Sequence, residues 1–332
     1  MSNKDYDLLN NPVPIADQNW ERNISPLVTI GCITYKHEKY IRDSIEGFLI
    51  QKTTFPVEII IHDDASPDKT PEIISEYEQK YPNLFFTIFQ DENQFSIGNT
   101  PIFGNFIYPK SRGKYIAFCE GDDYWSDPLK LQKLVDFLEE NPDYSLCSHE
   151  TFYTYINDPN SLRKFAAIIY HNYKLSGFKR VRNLTVQFFS NSNEFWKRRR
   201  KHSGVERYKD ADFNIALNTA MSDRYIPTMS IVARRKIMNS IPDEMFKLGA
   251  GHRLIILWSA IYGKLHHMKD VMGFKNTQES SVTVTKVTDV GMSLEDKKNE
   301  TIQLLESLKE FTDEENKELL DKKIREIHAQ LQ

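Results

Sequence analysis

Residues 114–128 read KYIAFCEGDDYWSDP, and the reading of this stretch decides the fold. Tyr115 to Cys119 are apolar and β-prone, Gly121 breaks the run, and Glu120, Asp122 and Asp123 stand together around the break. Asp127-Pro128 then has the form of a helix start, with Asp as N-cap and Pro at the first helical position. The pattern predicts a buried strand that delivers three carboxylates to the end of a sheet. Carboxylates gain nothing from apolar burial. Clustered at a strand end they suit a hard divalent cation with oxygen ligands, Mg²⁺ or Mn²⁺. An acidic surface turn ahead of a helix gives the same letters, so the neighbouring sequence has to decide.

Upstream, Pro26 opens LVTIGCITY, a continuous apolar run typical of a parallel strand covered on both faces. A helix is predicted from about Lys39 to Gln51, with Ile41, Ile45, Phe48 and Leu49 on one stripe. A second strand, Val57 to Ile61, ends in His62-Asp63-Asp64-Ala65-Ser66-Pro67. A helix over 70–80, a strand over 84–89, a polar loop over 93–99 and a short helix over 102–108 follow. Past the opening stretch come a helix over 128–140 and a strand from Tyr144 to Ser148 that ends at His149. This alternation predicts a three-layer α/β/α sandwich around a mainly parallel, Rossmann-like sheet. Ligands of such sheets bind at the carboxyl ends of the strands, which here carry Thr34-Tyr35, Asp63-Asp64 and Glu120-Asp122-Asp123. No GxGxxG follows the first strand and no GxxxxGK[ST] occurs, which argues against a dinucleotide or P-loop site.

With 332 residues the chain has room for one large domain or a domain with an appendage. A net charge of −4 gives no global signal for nucleic acid. The three cysteines, Cys32, Cys119 and Cys147, sit in apolar runs without zinc spacing and read as buried thiols of a reducing compartment. The first residues, MSNKDYDLLNNPVP, carry no apolar core of a signal peptide, and the longest apolar run, Leu254 to Tyr262, is too short to span a bilayer. A cytoplasmic protein is expected. Residues 1–25 read as a polar lead-in. Within 151–225 the basic run 197–202, beside Phe195 and Trp196, reads either as a solvated helix face or as a contact with anionic lipid or a phosphate-bearing acceptor. Such a contact would place the protein peripherally at the inner face of the membrane. A helix from Arg253 to Tyr262 and a short strand or loop over 271–275 are predicted next. Residues 293–331 read as a helical hairpin that starts with capping boxes at Ser293 and Thr312. Its stripes, Ile302-Leu305-Leu308 and Leu320-Ile324-Ile327-Leu331, must pack on the main domain or on a second copy in a homodimer.

GCITYKHEKYIRDSIEGFLIQ, EIIIHDDASPDKTPEII and GKYIAFCEGDDYWSDPLKL, in that order and spacing, resemble the family 2 glycosyltransferases with a GT-A fold, in particular those of bacterial surface-polysaccharide synthesis. The resemblance is good over about 26–150 and weaker to about 285. It implies a nucleotide-sugar-binding half at 26–150, an acceptor-binding half at 151–285, and a hairpin outside the family pattern. It also implies an inverting, metal-dependent transfer of a sugar from a UDP-, GDP- or dTDP-sugar to a hydroxyl of a glycan or lipid-linked acceptor. By matching position, Thr34, Tyr35 and Asp64 would meet the nucleotide base, with Asp63 on the base or orienting the turn. Asp122 would face the ribose and diphosphate, and Asp123 would hold Mg²⁺ or Mn²⁺, with Asp122 as a second metal candidate. Lys275 is a candidate for the diphosphate, and the role of Glu120 is open.

Relatives often carry Asp as the general base before the apolar helix, where this chain has Gly251-His252. A neutral imidazole is a competent base, so His252 is the first candidate, against a His that caps the helix or sits satisfied in the core. Asp243, Glu244 and Asp223 are the nearby carboxylates. The departure keeps open a nucleotide-sugar-binding scaffold without catalysis. A sugar-phosphate nucleotidyltransferase is the other alternative, although ITYKHEK lacks the Gly-rich loop such enzymes use.

Overall fold

A computed structural model of the chain describes residues 9–18, 20, 24–98, 101–155, 209–221, 226–246, 248, 251–277 and 294–329. The apolar run after Pro26 forms β2 (Val28–Thr34), preceded by the short β1 (Val13–Pro14). β3 (Lys52–Thr53), β4 (Val57–Asp63), β5 (Phe85–Phe89), β6 (Tyr115–Glu120) and β7 (Tyr124–Trp125) follow. The second half adds β8 (Tyr144–Tyr155), β9 (Asp210–Ala211), β10 (Val232–Arg234) and β11 (Lys264–Thr277). Helices α1 (Ile41–Leu49), α2 (Thr70–Lys80) and α3 (Lys130–Glu140) lie between the early strands. α4 (Phe213–Ala220), α5 (Gly251–Tyr262), α6 (Leu294–Leu308) and α7 (Glu314–Ala329) belong to the later half.

Among the described residues the main sheet has nine strands, in the order β5-β4-β2-β6-β10-β8-β11-β7, with β9 on β11. β5, β4, β2 and β6 are parallel neighbours. β10 enters antiparallel between β6 and β8, and β8 and β11 are again parallel. The sheet is therefore mixed, with its parallel block at the end that carries the acidic residues. Ile41, Ile45 and Phe48 of α1, Ile74 of α2 and Leu131, Leu134 and Leu138 of α3 bury their stripes on one face. Phe103, Ile107, Leu217, Leu254, Trp258, Leu305 and Leu320 cover the other. The result is the predicted three-layer sandwich. α1 lies so close to β7 that a Cβ on Gly47 would stand 2.8 Å from the Trp125 carbonyl oxygen.

The C-terminal hairpin packs on its own domain. Leu304, Leu305, Leu308, Leu320, Ile324 and Ile327 join the core around Trp258, and the Phe311 ring lies 4.9 Å from that indole. The stripe left open for a homodimer is thus covered within the chain. The second helix is capped by Asp313, whose Oδ1 accepts the Asn316 amide at 2.9 Å, and not by Thr312 as predicted. Likewise α3 begins at Lys130, with Asp127 Oδ1 accepting the Leu129 amide at 2.8 Å one turn earlier. β8 runs past His149 to Tyr155, and β11 spans 14 residues where a short piece over 271–275 was predicted. The polar residues Lys264, His266, His267, Lys269 and Asp270 hide that strand in the sequence. The basic run 197–202, Asp223, Ser293 and Leu331 lie outside the described residues. Among the described residues no helix is long and apolar enough to cross a membrane.

Lys130 is fully buried beside Trp125, its Nζ 3.4 Å from the indole centroid and without a hydrogen-bond partner among the described residues. Burial lowers its pKa from 10.5 to about 7. Between those values the unfolded chain binds a proton that the folded chain does not, so this group makes stability rise with pH across that window. Lys130→Met is expected to raise stability at pH 7 by on the order of a few kcal/mol, with a gain that shrinks toward pH 10. Denaturant titrations of both proteins at the two pH values check this, and a gain independent of pH would contradict it.

Candidate active site

Parallel register sets the site. Thr34 pairs with Asp63 and Ile33 with Glu120, so β2, β4 and β6 finish at one edge. The acidic turn closes there, with the Gly121 amide donating to the Ile33 carbonyl at 2.8 Å and the Asp123 amide to the Glu120 carbonyl at 3.0 Å. Ser44 of α1 donates to the carbonyls of Gly121, at 2.9 Å, and Asp123. A Cβ on Gly121 would lie 2.6 Å from Thr34 Oγ1, so a side chain there would push the turn off β2. Held this way, one carboxylate oxygen each from Glu120, Asp122 and Asp123 lie within 4.8 Å of one another.

The far edge of the sheet supplies the counter-charge. β7 pairs antiparallel with β11, Trp125 with Gly273 and Tyr124 with Phe274, so the next residues of β11 reach Asp123. Lys275 Nζ lies 2.9 Å from Glu120 Oε2 and 3.2 Å from Asp123 Oδ2. The Asn276 amide donates to Asp123 Oδ1 at 2.9 Å, and its side-chain amide donates to the Asp122 carbonyl.

Burial and charge act unequally on the three acids. Asp123 is wholly buried, and desolvation raises its pKa well above the usual carboxylate range against the pull of Lys275. Burial raises Asp122 too, with Glu120 adding to the effect and His37 opposing it. Glu120, its side chain 35% exposed, is held low chiefly by Lys275. Three acids pressed together at a cost in solvation, with only oxygen atoms offered, fit a hard divalent cation. His252 opens α5 close enough to Glu120 and Lys275 to feel both charges. Burial, reinforced by Arg253, lowers its pKa to about 4, so the imidazole is neutral at pH 7.

The other predicted residues divide. Thr34 is buried with Oγ1 3.1 Å from His37 Nδ1, and Tyr35 is 37% exposed at the rim. Asp63 holds the turn, accepting the Ser66 amide at 2.9 Å and the Ser66 hydroxyl at 2.6 Å, with Ala65 at φ 58° between them. Asp64 clasps the following loop, its two oxygens accepting the amides of Gln94 at 2.7 Å and Phe95 at 3.1 Å. Asp243 and Glu244 stay on a separate single-turn helix, Asp243–Phe246. Among the described residues no hydrogen bond or ion pair joins them to the acidic cluster. His37, Ser44 and Asn276 belong to the site and were not singled out in the sequence. YKHEK, one turn past the first strand, was the available signal for His37, whereas Asn276 becomes visible only once β11 is paired with β7.

Residues 29–204, more than half of the chain, match the family model described as Glycosyl transferase family 2. An uncharacterised protein of Mycobacterium tuberculosis is 48% identical over 124 residues, 37% of this chain and 34% of that protein. The Bacillus subtilis glycosyltransferase TuaG, named as a candidate for teichuronic acid biosynthesis, is 31% identical over 122 residues, 37% of this chain and 44% of its own. The matches thus span a third to a half of these relatives. Among solved structures, the fold is similar to Staphylococcus aureus TarS 1–349 in complex with UDP-GlcNAc, with a TM-score of 0.58, 14% identity, and 91% of this chain and 72% of that one covered. It is also similar to the Pyrobaculum calidifontis mannosyltransferase PcManGT in complex with GDP-Man and Mn²⁺, with a TM-score of 0.55, 13% identity, and coverage of 93% and 73%.

The clasp at Asp64 has a direct readout. Asp64→Ala removes the charged acceptor of the Gln94 and Phe95 amides, a loss worth roughly 1.5–3 kcal/mol per such bond. Hydrogen exchange over 91–98 is expected to quicken at least tenfold while β4 stays protected. Unchanged exchange in this loop would contradict the clasp.

Proposed function

The chain belongs to glycosyltransferase family 2, and on that premise we propose that it moves a sugar, with inversion, from a nucleotide-sugar donor to a hydroxyl of a glycan or lipid-linked acceptor. The observation that carries the reading is the Glu120–Asp122–Asp123 cluster at the aligned ends of β2, β4 and β6, with Lys275 pressed against it. A donor's diphosphate leaving group gathers negative charge as the glycosidic bond breaks, and the site is built around groups that handle such charge. Asp123 and Asp122 would hold Mg²⁺ or Mn²⁺, which as a Lewis acid would stabilise the departing diphosphate. Lys275 offers a further point charge to the same oxygens. Thr34 and Tyr35, with the outer lone pairs of Asp64, form the wall available to the nucleotide base, since each carboxylate oxygen can accept a second hydrogen bond. Asp63 acts by holding the turn.

His252 is the group we assign to take the acceptor proton, from the face of the sugar opposite the leaving group. Its neutral imidazole at pH 7 leaves a lone pair for that task. The bacterial surface-polysaccharide setting is supported by TuaG, and the donors bound by TarS and PcManGT, UDP-GlcNAc and GDP-Man, are the first to try.

Donor turnover, assayed with a panel of acceptors, is expected to stop in EDTA and in Asp123→Ala. Full activity in EDTA would overturn the metal reading. His252→Ala is expected to lower transfer by ~10²–10⁴-fold with little change in donor affinity, because a base acts on the transition state. Since the His252 pKa is lowered to about 4, the neutral form persists well below pH 6.5, and the acidic limb of the rate should fall near pH 4 to 5. Near-wild-type transfer by His252→Ala would remove it as the base and turn attention to Asp243, Glu244 and Asp223.

A further inference from the structure

Lys275 and a divalent ion want the same carboxylate. The ammonium is 3.2 Å from Asp123 Oδ2 and 2.9 Å from Glu120 Oε2, and its side chain is only 12% exposed. Its backbone is tied on both sides, since Phe274 is in register with Tyr124 and the Asn276 amide is bonded to Asp123 Oδ1. The four-carbon stem is the part that can move. Resting on the metal-dependent reading above, we propose that Lys275 is an internal counter-cation. It neutralises Asp123 and Glu120 while the donor is absent, and yields Asp123 to the metal ion when a nucleoside diphosphate is present to receive the ammonium.

The physical reason is repulsion. Two like charges that share one buried carboxylate repel strongly because little water screens them, and a divalent ion doubles the repulsion. The ammonium and the ion therefore do not both sit on Asp123. Metal alone takes Asp123 from Lys275 and brings the ammonium no anion in exchange. Metal with a diphosphate gives the displaced ammonium an anion with several acceptor oxygens. Metal and nucleotide thus favour each other, and by linkage the help is reciprocal. Lys275 is in this sense a positioning residue that couples the two ligands.

Mn²⁺ binding, followed by the electron paramagnetic resonance of the free ion with and without UDP or GDP, tests this on the whole chain. Wild-type protein is expected to bind Mn²⁺ weakly alone and at least tenfold more tightly with the nucleotide. Lys275→Met and Lys275→Gln, which remove the charge, are expected to bind Mn²⁺ alone at least tenfold more tightly than wild type. The gain from adding nucleotide should shrink in them by a similar factor. Lys275→Arg keeps the charge and should resemble wild type. Neutral variants that bind Mn²⁺ no more tightly than wild type, while wild type does bind it with nucleotide, overturn the inference alone. Equal Mn²⁺ affinity of wild type with and without nucleotide overturns it without recourse to any variant. An absence of Mn²⁺ binding in every arm overturns both the metal reading and this inference.

Discussion

The repulsion among Glu120, Asp122 and Asp123, and the pair of contacts from β11 that contain it, is the constraint the rest of the structure depends on. Three acids whose oxygens come within 4.8 Å, one of them wholly buried, would drive the turn apart or take up protons. Lys275 and the Asn276 amide hold Asp123 from the side of β11. Ser44 holds the turn's carbonyls from the side of α1. An arrangement so expensive in solvation persists in a fold when something else over-determines it. Here that something is the sheet, which brings the end of β6 and the β7–β11 pair to the same three acids.

The sheet also explains why function is confined to one edge. β2, β4 and β6 are parallel and in step, so their ends present Thr34, Asp63 and Glu120 side by side. The loops that leave these ends are tied to one another. The Lys36 amide donates to Ser66 Oγ at 2.9 Å, and the His37 amide to Thr70 Oγ1 at 2.9 Å. Asp63 and Asp64, adjacent in sequence, therefore serve different loops, one shaping its own turn and the other fastening residues 94 and 95. The opposite end of the sheet carries the Glu58–Arg112 pair at 2.7 Å and no comparable gathering of acids among the described residues.

Much of this was legible in the sequence because the early strands are apolar without interruption and each ends in polar residues. Periodicity and turn letters sufficed to place β2, β4 and β6 and to align their ends. The antiparallel β10 left no such mark, since Val232-Ala233-Arg234 is too short to show a period. β11 was recognised only in part because Lys264, His266, His267, Lys269 and Asp270 interrupt its apolar residues, although both histidines are buried in the strand. Lys275 was visible as a lone cation, but its contact with Asp123 is a long-range consequence of the β7–β11 register. His252 was legible as a candidate base by position. Its low pKa was not, because the burial of this turn of α5 is a property of packing, although Arg253 stood next to it in the sequence. The hairpin's stripes were read from spacing, whereas the choice between the domain and a second copy needed the Trp258 and Phe311 contact.

The most direct test of the claim that the strand-end acids form a metal and diphosphate site is anomalous diffraction from crystals grown with Mn²⁺ and UDP or GDP. A manganese peak is expected bonded to a carboxylate oxygen of Asp123 and to the diphosphate, with Lys275 Nζ moved off Asp123. A manganese ion bound elsewhere, or a nucleotide seated at this edge with no metal and Lys275 still on Asp123, would contradict it.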